Sequence, residues 1–298
     1  MIAMKNIYNF KTKMNIRTFI SSPNKTNVLG IGVSRTNYKE STDFIIQSAQ
    51  LNQSCTVAAT NVHSITSAYL DPDGYGEQLK RFTLVTPDGQ PVRWALNLLR
   101  NSDEEVLADR VRGPELMLQI CEQAAVKGIS IFLYGSKETV LESLQIKLKQ
   151  KFPELIIAGV ISPPFRPLTP EEDAAYTEEI RKSGAGIVFV SLGCPRQEAW
   201  TFEHRYQLKC PIIAVGAAFD FHSGNIPEAP AWMQWAGLEW LFRLCKEPKR
   251  LWKRYLLLNP LYLILLTLQL VKLLPLDEES TVESGTVERP EQAINRRL

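Results

Sequence analysis

The sequence predicts an α/β protein: a mostly parallel sheet covered by helices on both faces, followed by a C-terminal helical appendage. Three observations predict it. Short, uninterrupted apolar runs alternate with helix-length stretches from Asn27 to about Phe219. Polar, glycine-bearing segments fall where those runs end. Beyond Phe219 the pattern gives way to tryptophans, a basic run and a long apolar stretch. Strands buried on both faces read as continuous apolar runs, and joining them through helices makes the sheet parallel. The arrangement is Rossmann-like, and ligands of such sheets bind outside the carboxyl ends of the strands.

Residues 1–26 are polar and weakly patterned and read as a loose leader. With Lys5, Lys11 and Lys13 but no long apolar run, the start of the chain is not expected to be a signal peptide. The α/β domain is expected over 27–236. Val28 to Val33 reads as its first strand, Tyr38 to Leu51 as a helix, and Thr56 to Asn61 as the next strand. A helix near Ser64 to Tyr69 and a strand over Phe82 to Val85 follow. Ile129 to Tyr134 is a buried-strand run closed by Gly135-Ser136, and the spacing of Val140, Leu141, Leu144 and Leu148 predicts a helix behind it. Leu155 to Val160, Ile187 to Leu192 and Ile212 to Val215 complete the strands, with helices at Pro170 to Lys182 and Gln197 to Leu208 between them. An appendage over 237–276 and a polar, disordered tail over 277–298 close the reading.

The bulk properties exclude several classes. A net charge of +2 gives no electrostatic reason to expect nucleic acid as a partner. Five scattered cysteines without a CxxC pair, and three histidines far apart, fit neither a disulfide framework nor a zinc site, and suit a reducing compartment. A dinucleotide-dependent oxidoreductase would suit the sheet pattern, but no complete GxGxxG and no acidic ribose residue accompany it. A non-catalytic, membrane-associated scaffold is the other alternative.

Several motifs occur in a fixed order: Thr86-Pro87-Asp88-Gly89 with Trp94 behind it, Arg112-Gly113-Pro114-Glu115-Leu116, Leu192-Gly193-Cys194-Pro195-Arg196-Gln197-Glu198-Ala199-Trp200, Val215 to Asp220, Gly237 to Arg243, and Glu247-Pro248-Lys249-Arg250-Leu251-Trp252. Together they resemble the WecG/TagA/CpsF family, glycosyltransferase family 26, from about Val28 to Arg254. The resemblance implies inverting transfer of an N-acetylmannosamine-type sugar from UDP to a polyprenyl-diphosphate-linked sugar. It places that reaction in teichoic acid, common-antigen or exopolysaccharide synthesis, at the cytoplasmic face of the membrane. It leaves the oligomeric state open, a homo-oligomer included.

Asp88 stands on a Pro-Asp-Gly turn after a strand. A carboxylate there could take the acceptor hydroxyl's proton, and the resemblance puts the catalytic base on it; a turn aspartate is the plainer reading. Thr60 and Asn61 end the preceding strand, suited either to donor-sugar contacts, as the resemblance implies, or to helix capping. Here the segment reads Ala59-Thr60-Asn61 rather than Thr-x-Asn. Arg112 could hold the donor diphosphate bidentately. Gly135-Ser136 could bring backbone N–H groups to phosphate. Gln197 is expected to contact the donor sugar or uridine; Asp220 could accept hydrogen bonds from uracil or ribose, or simply cap the chain there, and His222 lies close by. Cys194 is not expected to be a nucleophile. Asp71-Pro72-Asp73 superficially matches a metal-binding DxD, but no strand precedes it, so a surface turn is expected. Neither a metal nor another cofactor is expected.

In the appendage the resemblance gives Arg243 and Arg250 to the acceptor diphosphate, with Lys253 or Arg254 as a third. The basic run would also attract anionic lipid, at about 1 kcal/mol per cation. Asn259-Pro260 reads as the start of a new helix. From Pro260 to Leu274 that helix would measure roughly 20–23 Å at 1.5 Å per residue, short of a bilayer core of about 30 Å. Gln269 and Lys272 interrupt it, so interfacial contact is expected rather than a span, with packing on the protein as the alternative. In Gly224 to Pro230, Glu228 stands where many family members carry arginine.

Overall fold

A computed structural model of the chain describes residues 21–276. Most of the leader and all of the 277–298 tail therefore lie outside the described residues. The chain starts with an antiparallel hairpin, β1 (Lys25–Val28) and β2 (Ile31–Ser34), then α1 (Tyr38–Gln50), β3 (Thr56–Thr60) and α2 (Val62–Leu70). A π-helical turn at Pro72–Gly76 leads into α3 (Glu77–Lys80), β4 (Leu84–Pro87), α4 (Gln90–Leu98) and α5 (Gly113–Lys127). Then come β5 (Ile131–Gly135), α6 (Glu138–Lys151), β6 (Ile157–Ile161), α7 (Pro170–Lys182), β7 (Ile187–Ser191), α8 (Arg196–His204) and β8 (Ile212–Ala214). The last elements are α9 (Ala218–Ser223), α10 (Ala231–Trp235), α11 (Glu239–Lys246) and α12 (Pro248–Leu270).

The main sheet has the order β4-β3-β8-β7-β5-β6, every pairing parallel. Successive strand residues point to opposite faces. Ile131, Leu133, Ile187 and Phe189 meet α1, α5, α6 and α9 in one core. Phe132, Tyr134, Val188 and Val190 meet α7 and α8 in another. Ala58 and Val85 meet the hairpin, α2, α4 and α12 in a third. Both faces are covered, which is why the strands carry apolar side chains at most positions on either face.

The connections decide where a ligand can bind. β5 leads to β6 on one side and β7 to β8 on the other, so the loops after β5 and β7 diverge. Their carboxyl ends are therefore the switch point of the sheet, where ligands of such folds bind. Gly135 stands there at φ +118°, and a β-carbon on it would lie 2.3 Å from the Ser191 carbonyl oxygen. Only glycine fits that approach.

Three sequence expectations need correcting. The run Val28 to Val33 is a hairpin rather than one strand. Leu29 and Gly30 turn at φ +52° and +86°, and the Asn27 side chain accepts the Gly30 N–H. The leader also ends earlier than residue 26, since β1 starts at Lys25, whose ammonium donates to the Phe82 carbonyl. Asn259-Pro260 does not start a helix: Pro260 lies inside the 23-residue α12. Proline removes one backbone donor there, but packing on both sides carries the helix through, with Leu251 and Tyr255 buried before it and Tyr262, Leu265 and Leu266 after it.

The distal half of α12 accordingly packs on the domain. Gln269, read as an interruption, accepts the Leu29 N–H at 2.9 Å and donates to the Asn27 carbonyl at 2.8 Å. The opposite side carries Leu256, Leu257, Leu263 and Ile264, all exposed, with Trp232, Trp235 and Trp252 exposed nearby in the chain. Among the described residues no helix is long and apolar enough to cross a membrane.

Candidate active site

The carboxyl ends of β3 and β4 and the appendage enclose a cavity of about 100 Å³. Asn61, His63, Asp88 and Arg110 line it from the domain; Glu239, Trp240, Arg243, Arg254, Tyr255 and Asn259 line it from α11 and α12. Pockets for drug-sized ligands run to roughly 300–1,000 Å³, so the cavity is small, with α11 and α12 forming one of its walls.

Asp88 sits one residue past β4. Its backbone N–H is shared by the Thr60 and Thr86 carbonyls, and its carboxylate accepts the Gly113 N–H at 3.3 Å. Gly113 can deliver that N–H because nothing larger fits: a β-carbon would lie 2.6 Å from the Val215 carbonyl oxygen. Burial raises the proton affinity of Asp88, and Glu239 adds to the rise; Arg110, Arg112 and the Gly113 N–H oppose it. A carboxylate held above its ordinary range, at the end of a cavity, has the character of a general base.

Arg110 and Arg112 support this corner. Arg110 donates to the Asp88 carbonyl at 3.2 Å and to Glu239 Oε2 at 3.0 Å. Arg112 donates to Glu115, to Gln234 Oε1 at 2.6 Å, to Glu228 Oε2 at 3.2 Å and to Glu239 Oε1 at 3.2 Å. Burial works against the charge of Arg112, but Glu239, Glu115, Asp88 and Glu228 together raise its pKa. Burial lifts the Glu115 carboxyl to about 7 against the pull of Arg112. The departure at Glu228 thus has a local consequence: its carboxylate takes part of the Arg112 fork. For Arg112 to hold a diphosphate, that anion has to replace Glu228 or Glu239.

The structure separates the remaining expected residues. Asn61 does cap α2, accepting the His63 and Ser64 N–H groups, yet the same oxygen accepts from Arg254 at 3.2 Å and faces the cavity. Thr60 is buried, with its hydroxyl on the Ala58 carbonyl. Arg243 and Arg254 reach the cavity. Arg250 is exposed and pairs with Glu247 at 2.6 Å, and Lys253 is exposed, its ammonium 5.6 Å from the Trp252 ring centroid. Arg254 lacks a salt-bridging carboxylate among the described residues, and desolvation lowers its pKa. Desolvation and the Arg254 charge pull His63 down to about 4, leaving it neutral at ordinary pH.

Gly135, Gln197 and Asp220 do not line this cavity: Gly135 ends β5, Gln197 lies at the start of α8 after β7, and Asp220 lies in α9 after β8. Gln197 is buried, its side-chain amide donating to Glu198 Oε1 at 2.9 Å while its side-chain oxygen is buried without a partner among the described residues. Asp220 accepts from Asn225 at 2.8 Å, and the His222 imidazole bonds the Pro114 carbonyl at 2.9 Å. Ser136 follows Gly135 at φ +62°, its N–H on the Ser191 carbonyl. Asp71 caps the π-helical turn through the Gly74 and Tyr75 N–H groups, the surface turn that the sequence suggested.

Sequence reasoning missed Arg110, His63 and Glu239. Arg110 and Arg112 bracket a buried Val111, an alternation that could have marked both as one face of an extended segment. Glu239 lay inside a recognised motif without a role.

The family model described as "Glycosyl transferase WecG/TagA/CpsF family" matches residues 26–275. A relative from Bacillus subtilis (strain 168), N-acetylglucosaminyldiphosphoundecaprenol N-acetyl-beta-D-mannosaminyltransferase, is 31% identical over 201 residues, covering 67% of this chain and 74% of the relative.

Proposed function

The chain belongs to the WecG/TagA/CpsF family of glycosyl transferases, and from that premise we propose its substrates and chemistry. It moves an N-acetylhexosamine-type sugar, N-acetylmannosamine the first candidate, from UDP to a polyprenyl-diphosphate-linked N-acetylglucosamine in cell-surface polysaccharide synthesis. The named relative supports the acceptor and the sugar. The switch point of the sheet, at the carboxyl ends of β5 and β7, supports a nucleotide donor, with Gly135 and Ser136 directly after β5 and Gln197 at the start of α8 after β7.

One observation carries the chemistry: the Asp88 carboxyl, with raised proton affinity, shares one cavity with the guanidinium groups of Arg243 and Arg254. In an inverting displacement the acceptor hydroxyl attacks the anomeric carbon from the face opposite UDP. The new C–O bond forms as the bond to the β-phosphate oxygen breaks. Asp88 takes the hydroxyl proton, and the electron pair leaves with UDP. The arginines meet phosphate charge, where fixed donors stabilise the transition state. An acceptor anchored in lipid suits a peripheral enzyme, and the exposed apolar side of α12, with its preceding basic run, supplies the membrane contact.

The test is UDP release with a short-chain polyprenyl-diphosphate-GlcNAc acceptor and a panel of UDP-sugars, comparing the native chain with Asp88→Asn. Release from one UDP-HexNAc, reduced about 10²–10⁴-fold in the variant, is expected. Equal release from both removes Asp88 from the chemistry; silence with every donor sinks the substrate assignment.

A further inference from the structure

Glu239 is the first residue of α11, yet its carboxylate belongs to the Asp88 corner. We infer that Glu239 is a positioning residue for the catalytic base: its two oxygens span Arg110 and Arg112, and so fix both guanidinium groups against the loop that carries Asp88. The inference rests on the reading of Asp88 as base given above.

The geometry is specific. One oxygen accepts from Arg110 at 3.0 Å and the other from Arg112 at 3.2 Å. Both arginines are also tied to Asp88. Arg110 donates to its backbone carbonyl, and the residue after Arg112 donates its N–H to the carboxylate. All three side chains are largely buried, with exposures of 7% for Arg110, 4% for Arg112 and 18% for Glu239. Charge-assisted hydrogen bonds held away from water are directional and orient their partners.

Electrostatics points the same way. Two guanidinium groups beside a lone carboxylate would hold it firmly ionised and make it a weak base. Glu239 supplies the compensating negative charge, which raises the proton affinity of Asp88. The other groups around Asp88 do not duplicate this. Glu115 and Tyr38 face it from α5 and α1, but Glu115 is engaged by Arg112, and the Tyr38 hydroxyl accepts the Arg112 N–H. Glu228 pairs with Arg112 without lining the cavity. His63, Arg243 and Arg254 line the cavity from α2, α11 and α12, and bring only neutral or positive charge. Glu239 alone among the described carboxylates both lines the cavity with Asp88 and bridges the two arginines. Because it rides on α11, the base is tuned only while α11 is seated.

The experiment is the pH dependence of kcat/KM for the native chain, Glu239→Gln, Glu239→Asp and Asp88→Asn, each checked for folding by thermal melting. Glu239→Gln keeps the size of the side chain and loses its charge. Its acid limb is expected to move to lower pH by about one unit, the order that a neighbouring charge imposes, with several-fold lower kcat at neutral pH. Glu239→Asp keeps the charge but is too short to span both arginines, so its limb falls between the two. Should Glu239→Gln not fold, the limb of Glu239→Asp alone decides. A limb that coincides with the native one, even with reduced kcat, overturns the inference and leaves Glu239 a latch for α11. Native-like turnover by Asp88→Asn instead refutes the base itself, a distinct failure.

Discussion

Glu198→Gln is expected to make the protein more stable at pH 8 while leaving it almost unchanged in acid. Glu198 is 1% exposed, at the start of α8. Burial raises its pKa from 4.5 to about 6, while the Gln197 amide, its own helix backbone, the Cys194 thiol and Arg254 oppose the rise. Its second oxygen is buried without a partner among the described residues. A folded pKa above the unfolded one means that the protonated form favours folding. That stability is fully present below pH 4.5 and is lost as the pH rises through 6. The rise of about 1.5 units corresponds to about 2 kcal/mol at 1.36 kcal/mol per unit. Glutamine keeps the shape and the bond from Gln197, and removes the charge. Thermal melting should therefore show a gain in Tm of roughly 4–8 °C at pH 8, shrinking to less than half of that at pH 5. An equal gain at both pH values, or a loss at pH 8, would refute the electrostatic account and make Glu198 a packing residue.

Two further outcomes follow from the site. Gly135→Ala should cost at least about 2 kcal/mol in chemical denaturation, because its β-carbon lands on the Ser191 carbonyl, and it should weaken UDP binding by calorimetry more than any change in melting accounts for. Arg254→Ala should raise the KM for the lipid acceptor in detergent at least tenfold, whereas Lys253→Ala, on the exposed side of the same helix, should change it less than threefold; the reverse order would put the diphosphate outside the cavity.

Much of the sheet was legible because its determinants are local. The helix at Pro170–Lys182 has the expected bounds, since Thr169 caps it through a reciprocal bond with Glu172 and proline opens it. The continuous apolar strands announced burial on both faces. The hairpin was hidden because Leu29 at its turn is as apolar as its neighbours, and the turn is made by a positive φ rather than by polarity. Pro260 misled for the opposite reason: the local signal was strong, but contacts with a core whose other members lie up to some 230 residues away overrode it. The site divides in the same way. Asp88 and Asn61 were visible at strand ends, where topology places ligand residues. Glu239 meets Arg110 across 129 positions, a partnership that no local pattern encodes.

The packed distal half of α12 has a mechanical consequence. Tyr262, Leu265, Leu266 and Gln269 fasten that half to the sheet face and the hairpin. In the proposed function, any widening of the cavity would therefore fall to α10, α11 and the first turns of α12, since the far end is fastened. If the outer face of the fastened half rests on the bilayer, the standing height of Asp88 above the lipid stays constant through the cycle. In the proposed function, the reach of the acceptor's diphosphate out of the membrane would then be matched to a fixed distance, and the donor would enter without release from the surface where the acceptor waits.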